Sequence, residues 1–285
     1  MTISIRRGHA DDARECGRIY YAAFSALAGA HNFLSDMPDA DTATSAVAMM
    51  LAHPGYHGVV AEQDGKIIGS NFLDERNSIA GVGPITVDPE VQNRGVGARL
   101  MQALIERSAA RRFASIRLVQ AAYHCRSLAL YSKLGFDVRE HLSCMQGPAI
   151  DKSIEGYPVR RATDADAAAC NALCAKVHGA DRGGELRDAI AQGVASVVER
   201  GGRITGYTTQ IAFLGHTVCK TTDDLQALIS AAKSFDGPGF LAPSRNGELL
   251  RWCLERGLRI TQSMTLMTMG LYNEPAGAYL TAVTY

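Results

Sequence analysis

Apolar and polar residues first alternate along this chain and then fall into helical spacing. Residues 2 to 7, with Ile3 and Ile5 separated by polar neighbours, predict an opening strand. His9-Ala10-Asp11-Asp12 supplies starting chemistry for a helix reaching about Ala28, with Ile19, Ala23 and Leu27 on one side. A polar loop from His31 to Asp39 leads to a second helix over about 41–51. From Gly58 the period becomes two. Val59-Val60-Ala61-Glu62 and Lys66 to Leu73 flank Asp64-Gly65, a pair that tolerates the positive φ angles of a tight hairpin turn. The next strand, 79–87, contains Pro84. Proline cannot donate to a ladder, so it marks an edge, a bulge or a splayed strand. Val96, Leu100, Met101 and Leu104 then give a helix with one broad apolar face. Ile116 to Ala121 read as a strand, about 126–134 as a helix closed by Gly135, and 136–145 as a final strand.

After Gly147-Pro148 the pattern begins again. Val159-Arg160-Arg161 with Asp166-Ala167 and Cys170 repeats Ile5-Arg6-Arg7 with Asp12-Ala13 and Cys16 in register. Val197-Val198-Glu199 before Gly202 to Gly206 repeats Val60-Ala61-Glu62 before Gly65 to Gly69. The repeat predicts two units, 1–150 and 151–285.

The chemistry concentrates in Pro84 to Leu104. A strand ending at Asp88-Pro89 passes through a glycine-rich turn directly into a helix. Gly95 and Gly97 let backbone approach a ligand, and the unpaired N–H groups of a helix's first turn, with its partial positive charge, favour phosphate. Arg94 adds a full charge. Other phosphate motifs fit worse: Gly97 is followed by Ala98-Arg99 where a P-loop needs Lys-Ser/Thr, and Leu100 stands where a dinucleotide fingerprint needs its third glycine.

The spacing Gln92-x-x-Gly95-x-Gly97 resembles the pyrophosphate-binding signature of the GCN5-related N-acetyltransferases (GNAT). Leu130-Tyr131-Ser132-Lys133-Leu134-Gly135-Phe136 resembles that family's second signature. The resemblance implies an α/β fold of two tandem GNAT-like domains, each a mixed, mostly antiparallel sheet flanked by helices, with a splayed central strand pair in the first. It implies acetyl-CoA as co-substrate, held by the backbone of Ile85, Thr86 and Val87, by Gln92, Asn93, Arg94, Gly95, Val96 and Gly97, and by His124 and Ser127. Many members carry asparagine where this chain has His124. It further implies an N-acetyltransferase moving acetyl to a primary amine, small molecule or peptide, with Tyr131 as general acid, since a phenol near pKa 10 can protonate a departing thiolate. Glu75, with Asp74 and His31, is a candidate base. Acids at 36, 39 and 41 lie in the segment expected to shape the acceptor pocket. The alternative is a non-catalytic acyl-CoA sensor or regulatory protein.

The second unit keeps less of this chemistry. Val218 to Asp224 lacks the glycine pair and carries Asp223 and Asp224, which would repel pyrophosphate, and Thr222 is a suitable N-cap for the helix that follows. Asn246 and Gly257 keep the spacing of the second signature, but Cys253 occupies the tyrosine's place. This unit is therefore expected to be degenerate and non-catalytic.

Composition narrows the picture further. Lys+Arg and Asp+Glu balance at 29 each, so no global field draws the chain to nucleic acid or an anionic membrane. No apolar run is long enough to span a bilayer, and nothing resembles a signal peptide, which predicts a soluble, cytoplasmic protein. Seven cysteines without a Cys-x-x-Cys pair fit free thiols. Cys170, Cys174 and His178 recur one helical turn apart, but ligands strung along one helix do not easily converge on a tetrahedral ion, so no metal is expected. The apolar tail 276–285 fits a closing strand or a contact surface, the latter consistent with a homodimer.

Overall fold

The register of the first sheet starts at its hairpin. Asp64 and Gly65 both take positive φ, 52° and 77°, and pair β2 (Tyr56–Gln63) with β3 (Lys66–Asp74) from Gln63↔Lys66 to Tyr56↔Asp74. The right-handed strand twist demands such a turn. β1 (Ile3–Arg7) lies antiparallel along β2. The computed structural model describes residues 3–285; Met1 and Thr2, where the predicted first strand begins, lie outside the described residues.

Helices α1 (Ala13–Ala30) and α2 (Ala40–Ala52) cover one face of this sheet, burying Tyr20, Val47 and Met50 against Val60 and Phe72. The predicted strand over 79–87 is broken in two. β4 (Ala80–Val82) and β5 (Thr86–Val87) are separated by a cis Gly83-Pro84 peptide. β4 pairs parallel with β6 (Ser115–Ala121) at Ala80↔Ile116 and Gly81↔Arg117, whereas β5 pairs with β3 alone. The sheet consequently opens between β5 and β6. On the opposite face, α3 (Val96–Arg111) and α4 (Cys125–Lys133) pack Leu100, Met101, Leu104 and Tyr131 onto the core. β7 (Asp137–Gln146) follows.

The second half repeats this order: β8 (Val159–Arg161), α5 (Ala167–His178), α6 (Gly183–Ala191), β9 (Ser196–Arg200), β10 (Arg203–Thr208), β11 (Thr217–Cys219), α7 (Thr222–Ala231), β12 (Phe240–Pro243), α8 (Gly247–Glu255) and β13 (Arg259–Gly270). An extra strand, β14 (Ala278–Leu280), closes it. The repeat extends to ion pairs. Arg6 grips Asp12 through two bonds of 2.8 Å and reaches Glu62 at 2.8 Å; Arg160 grips Asp166 at 2.7 and 2.8 Å and reaches Glu199 at 2.5 Å.

The halves exchange their last long strands. β13 of the second half runs between β6 and β7 of the first, and β7 runs between β13 and β12, giving the order β1-β2-β3-β4-β6-β13-β7-β12 in a nine-stranded sheet with β5 to one side. The remaining strands form a five-stranded sheet, β14-β11-β10-β9-β8. The tail is thus a strand that pairs with β11. Among the described residues no helix is long and apolar enough to cross a membrane. The cysteines are unbridged and all but Cys125 are buried. Cys170 and Cys174 pack in the second half's core, His178 is buried edge-on against Tyr279, and no metal-sized cluster of ligands forms among the described residues.

Two outcomes follow from these contacts. A fragment of residues 1–150 leaves β7 without either of its neighbours, so on size exclusion it should aggregate or dimerise; a stable monomer with native circular dichroism would contradict the strand exchange. Asp12→Asn should cost about 1–2 kcal/mol in urea unfolding, because its carboxylate takes the partly exposed Arg6 fork and the N–H of His9 at 2.8 Å. Those bonds, Arg6 first, hold the Asp12 carboxyl below the usual range. Its contribution is therefore present above the unfolded-state pKa near 3.9 and lost as the pH falls below it.

Candidate active site

The site begins where β5 runs out. Asp88 caps the next turn by accepting from Glu90 N at 3.0 Å, and Asn93 and Gly95 then both take positive φ, 66° and 81°. Gly95 is the N-cap of α3, and the helix's first bond runs from Arg99 N to Gly95 O at 3.1 Å. The N–H groups of Val96, Gly97 and Ala98 consequently have no acceptor within the helix. They line a cleft of about 1520 Å³ together with Gln92, Asn93 and Gly95. Arg94 is exposed at the tip of the loop, outside the cleft wall.

Two braces fix the loop. Gln92 Nε2 donates to Val87 O at 3.1 Å, and Arg126, at the start of α4, donates to Gln92 Oε1 at 2.6 Å and Asn93 Oδ1 at 3.2 Å. Arg126 also lines the cleft and brings a cation to the amide cluster. Sequence reasoning passed over it, because a basic residue in the first turn of a surface helix carries no signal until the loop is seen folded against it.

The opened sheet forms the cleft's inner wall. Asp88 N donates to Ile68 O at 2.9 Å and Thr86 sits opposite Ser70, so residues 86 and 88 direct their backbone groups to β3. By alternation Ile85 and Val87 direct theirs to the other side, where no strand pairs with them. An extended polar ligand can complete that edge as a strand would. Ile85, Thr86 and Val87 all line the cleft.

Tyr131 closes the inner end. It is 5% exposed, packs edge-on to Phe136 and still contributes to the cleft wall. Burial pushes its phenol up to about 12, against a hydrogen bond with Ser127. Ser127 Oγ lies 2.7 Å from His124 Nδ1. These three side chains therefore form a chain from the buried phenol toward the rim, and all of them line the cleft. Burial, then the charge of Arg126, lowers His124 to about 4, so its imidazole is neutral near pH 7.

Glu75 stands apart from this group. Its carboxylate takes Arg107 Nε at 2.7 Å and Nη2 at 3.0 Å and does not line the cleft. Burial works against its charge, but the Arg107 bonds and charge hold its carboxyl below the usual range. Asp74 is similarly engaged by Arg76 at 2.6 Å. His31 does reach the cleft, with Nδ1 2.9 Å from Leu27 O.

The corresponding place in the second half is filled by the chain itself. Thr221, not Thr222, caps α7, because its hydroxyl and Asp224 form a reciprocal capping box. Asp224, wholly buried, also takes Arg200 at 2.9 and 3.0 Å and Thr205 at 2.6 Å. Where the first half opens beyond β5, β14 pairs with β11, and Thr281 bridges to Leu241 of β12. Cys253 is buried in the core, Trp252 packs beside it, and Asn246 caps α8 by accepting from Leu249 N at 3.1 Å.

A helix start lined with free amides beside an unpaired strand edge could hold a long ligand with an anionic end. Residues 18–136 match the family model described as "Acetyltransferase (GNAT) family". No curated protein matches the sequence. Among solved structures, a candidate acetyltransferase from Pyrococcus horikoshii is similar at 18% identity and a TM-score of 0.75, with 97% of this chain and 92% of that chain covered. A GCN5-related N-acetyltransferase from Sphaerobacter thermophilus matches at 16% identity and a TM-score of 0.63, covering 97% and 98%. A tandem GNAT protein from the clavulanic acid biosynthesis pathway matches at 12% identity and a TM-score of 0.56, covering 94% and 98%. Over its whole length the chain has the tandem GNAT fold.

Proposed function

We propose that residues 1–150 form the working unit of an N-acetyltransferase that moves the acetyl group of acetyl-CoA to a primary amine. The observation that carries this reading is the unpaired edge of β5 leading directly into the amide cluster at the start of α3. A pantetheine arm, with its amides spaced along an extended chain, would pair with Ile85 and Val87. The pyrophosphate would then lie on the N–H groups of Val96, Gly97 and Ala98 beside Arg126, with Arg94 within the same loop. Thr86, Gln92, Asn93 and Gly95 shape the cradle.

With the cofactor so placed, the thioester faces Tyr131. A neutral amine attacks the acetyl carbon, the C–S bond breaks, and the phenol gives its proton to the departing thiolate. A backbone N–H on the opened edge of β5 would serve as donor for the oxyanion. Ser127 and His124 offer the phenol a route for reprotonation from the rim, which a side chain this buried lacks otherwise. Glu75, locked to Arg107, takes no part, and water in the cleft receives the proton lost by the amine. Residues 151–285 turn over no substrate, a reading supported by Asp224 at the helix start and β14 in the sheet.

Tyr131→Phe should lower kcat in a thiol-release assay by about 10²–10⁴ with little change in acetyl-CoA affinity. Because burial holds the phenol at about 12, the parent's activity should not fall where an ordinary phenol near 10 ionises. Undiminished turnover in Tyr131→Phe would remove the general-acid assignment. Acetyl-CoA at about 100 times its Kd should stabilise the parent by roughly 2.7 kcal/mol. Gly97→Glu should abolish that stabilisation, because its carboxylate would occupy and repel the diphosphate position. Gly97→Ala is the folding control, since a Cβ there meets Leu130 at 3.5 Å and Val87 at 3.8 Å, ordinary contacts. Saturable acetyl-CoA binding without thiol release from any amine would mark the chain as a sensor instead.

A further inference from the structure

Three acids precede or open α2, and the structure separates them. Asp39 caps α2 by accepting from Thr42 N at 2.7 Å, and Asp41 is exposed on the first turn. Asp36 alone of the three lines the cleft. Its Oδ1 accepts from Gln262 Nε2 at 3.0 Å, and among the described residues no cation pairs with it. Gln262 sits on β13, the strand lent by the second half, is 6% exposed, and its Oε1 has no partner.

The carboxylate lies among aromatic side chains of the cleft. Its field reaches Tyr20, Tyr123 and Cys144. Tyr20 meets Phe24 edge-on at 4.7 Å between ring centres, and Tyr123 stacks on Phe33 at 4.4 Å with an 8° interplanar angle. Burial pushes the Asp36 carboxyl above the usual range, against the bond from Gln262, which is the cost an arriving cation relieves. The other carboxylates on the cleft wall are already provided for. Glu185 is paired with Arg182, and Asp236, exposed, accepts from Gln210 at 2.7 Å and Ser234 at 2.8 Å. Farther out the second half contributes Phe213, Leu214 and Val194, with Leu214 57% and Val194 40% exposed.

A half-buried anion without a counter-ion, with Tyr20 and Tyr123 within reach of its charge and an apolar wall beyond, selects an organic cation with one charge and an apolar body. Aromatic faces add cation–π attraction to the carboxylate's pull. We infer that Asp36, held in place by Gln262, anchors the ammonium group of the acceptor, which gives one proton to cleft water before it attacks as the neutral amine, and that the acceptor is a primary amine on an aromatic or branched apolar body. Polyamines and free amino acids fit less well, because the only other buried carboxylate among the described residues of the wall, Glu185, is already paired with Arg182, and Asp36 would repel the carboxylate of an amino acid. The inference rests on the acetyl-transfer reading for the fate of the amine, while the binding step stands without it.

The test uses the full chain saturated with CoA and follows 2-phenylethylamine by calorimetry, with 2-phenylethanol, spermidine and glycine alongside. The amine should bind and its neutral alcohol should not. Asp36→Asn, close in shape, should weaken the amine about 10- to 100-fold while leaving CoA affinity within about twofold, and Asp36→Glu should restore part of the loss. Equal binding of amine and alcohol, preference for spermidine or glycine, or an unchanged Asp36→Asn would overturn the inference. A thiol-release assay on the same panel, with acetyl-CoA in place of CoA, separates the two readings. Amine binding that depends on Asp36 without any thiol release sinks acetyl transfer and leaves the anchor standing, whereas turnover of amines indifferent to Asp36 does the reverse.

Discussion

An unpaired β-edge is expensive inside a folded protein, and the whole site is arranged around one. Buried backbone N–H and C=O groups need partners, and leaving them bare costs on the order of a kilocalorie or more each. Here β4 pairs with β6 over two residues and β5 pairs only with β3, leaving Ile85 and Val87 facing the cleft rather than another strand. The surrounding parts follow from that parting: Gln92 takes the Val87 carbonyl, α3 starts within reach, and α4 brings Tyr131 and Arg126 to the opposite wall.

The exchange of β7 and β13 makes this opening mechanically tolerable. A sheet split near its middle would fray if its far side were also free. Instead β6 is backed by β13 over seven residue pairs, Ser115↔Gly270 to Ala121↔Met264, and β13 is backed in turn by β7. The same strand carries Gln262 to Asp36, so the second half, whatever its own chemistry, holds a carboxylate of the cleft wall in place.

Much of this was legible in the residues. Alternation and the Asp64-Gly65 pair gave the first hairpin, and the glycines of the phosphate loop gave the start of α3. Pro84 announced that the strand over 79–87 was irregular, and the repeat of Arg6–Asp12 in Arg160–Asp166 announced a second copy, down to a shared ion-pair geometry. What stayed hidden depends on contacts far apart in sequence. Nothing local to residues 259–270 says that they pair with β6 rather than with their own half. Glu75 and Asp36 are both acids in or beside loops; only the fold turns one toward Arg107 and the other toward an apolar cavity. Arg126 and the cap at Thr221 were likewise decided by neighbours rather than by spacing.

The two halves answer the same structural problem in different ways. In one, the missing strand is left for a visitor; in the other, β14 fills the place permanently, antiparallel to β11 and bridged to β12. A ligand laid along β5 would stiffen the first lobe alone, while its twin carries its own closing strand whether or not anything is bound.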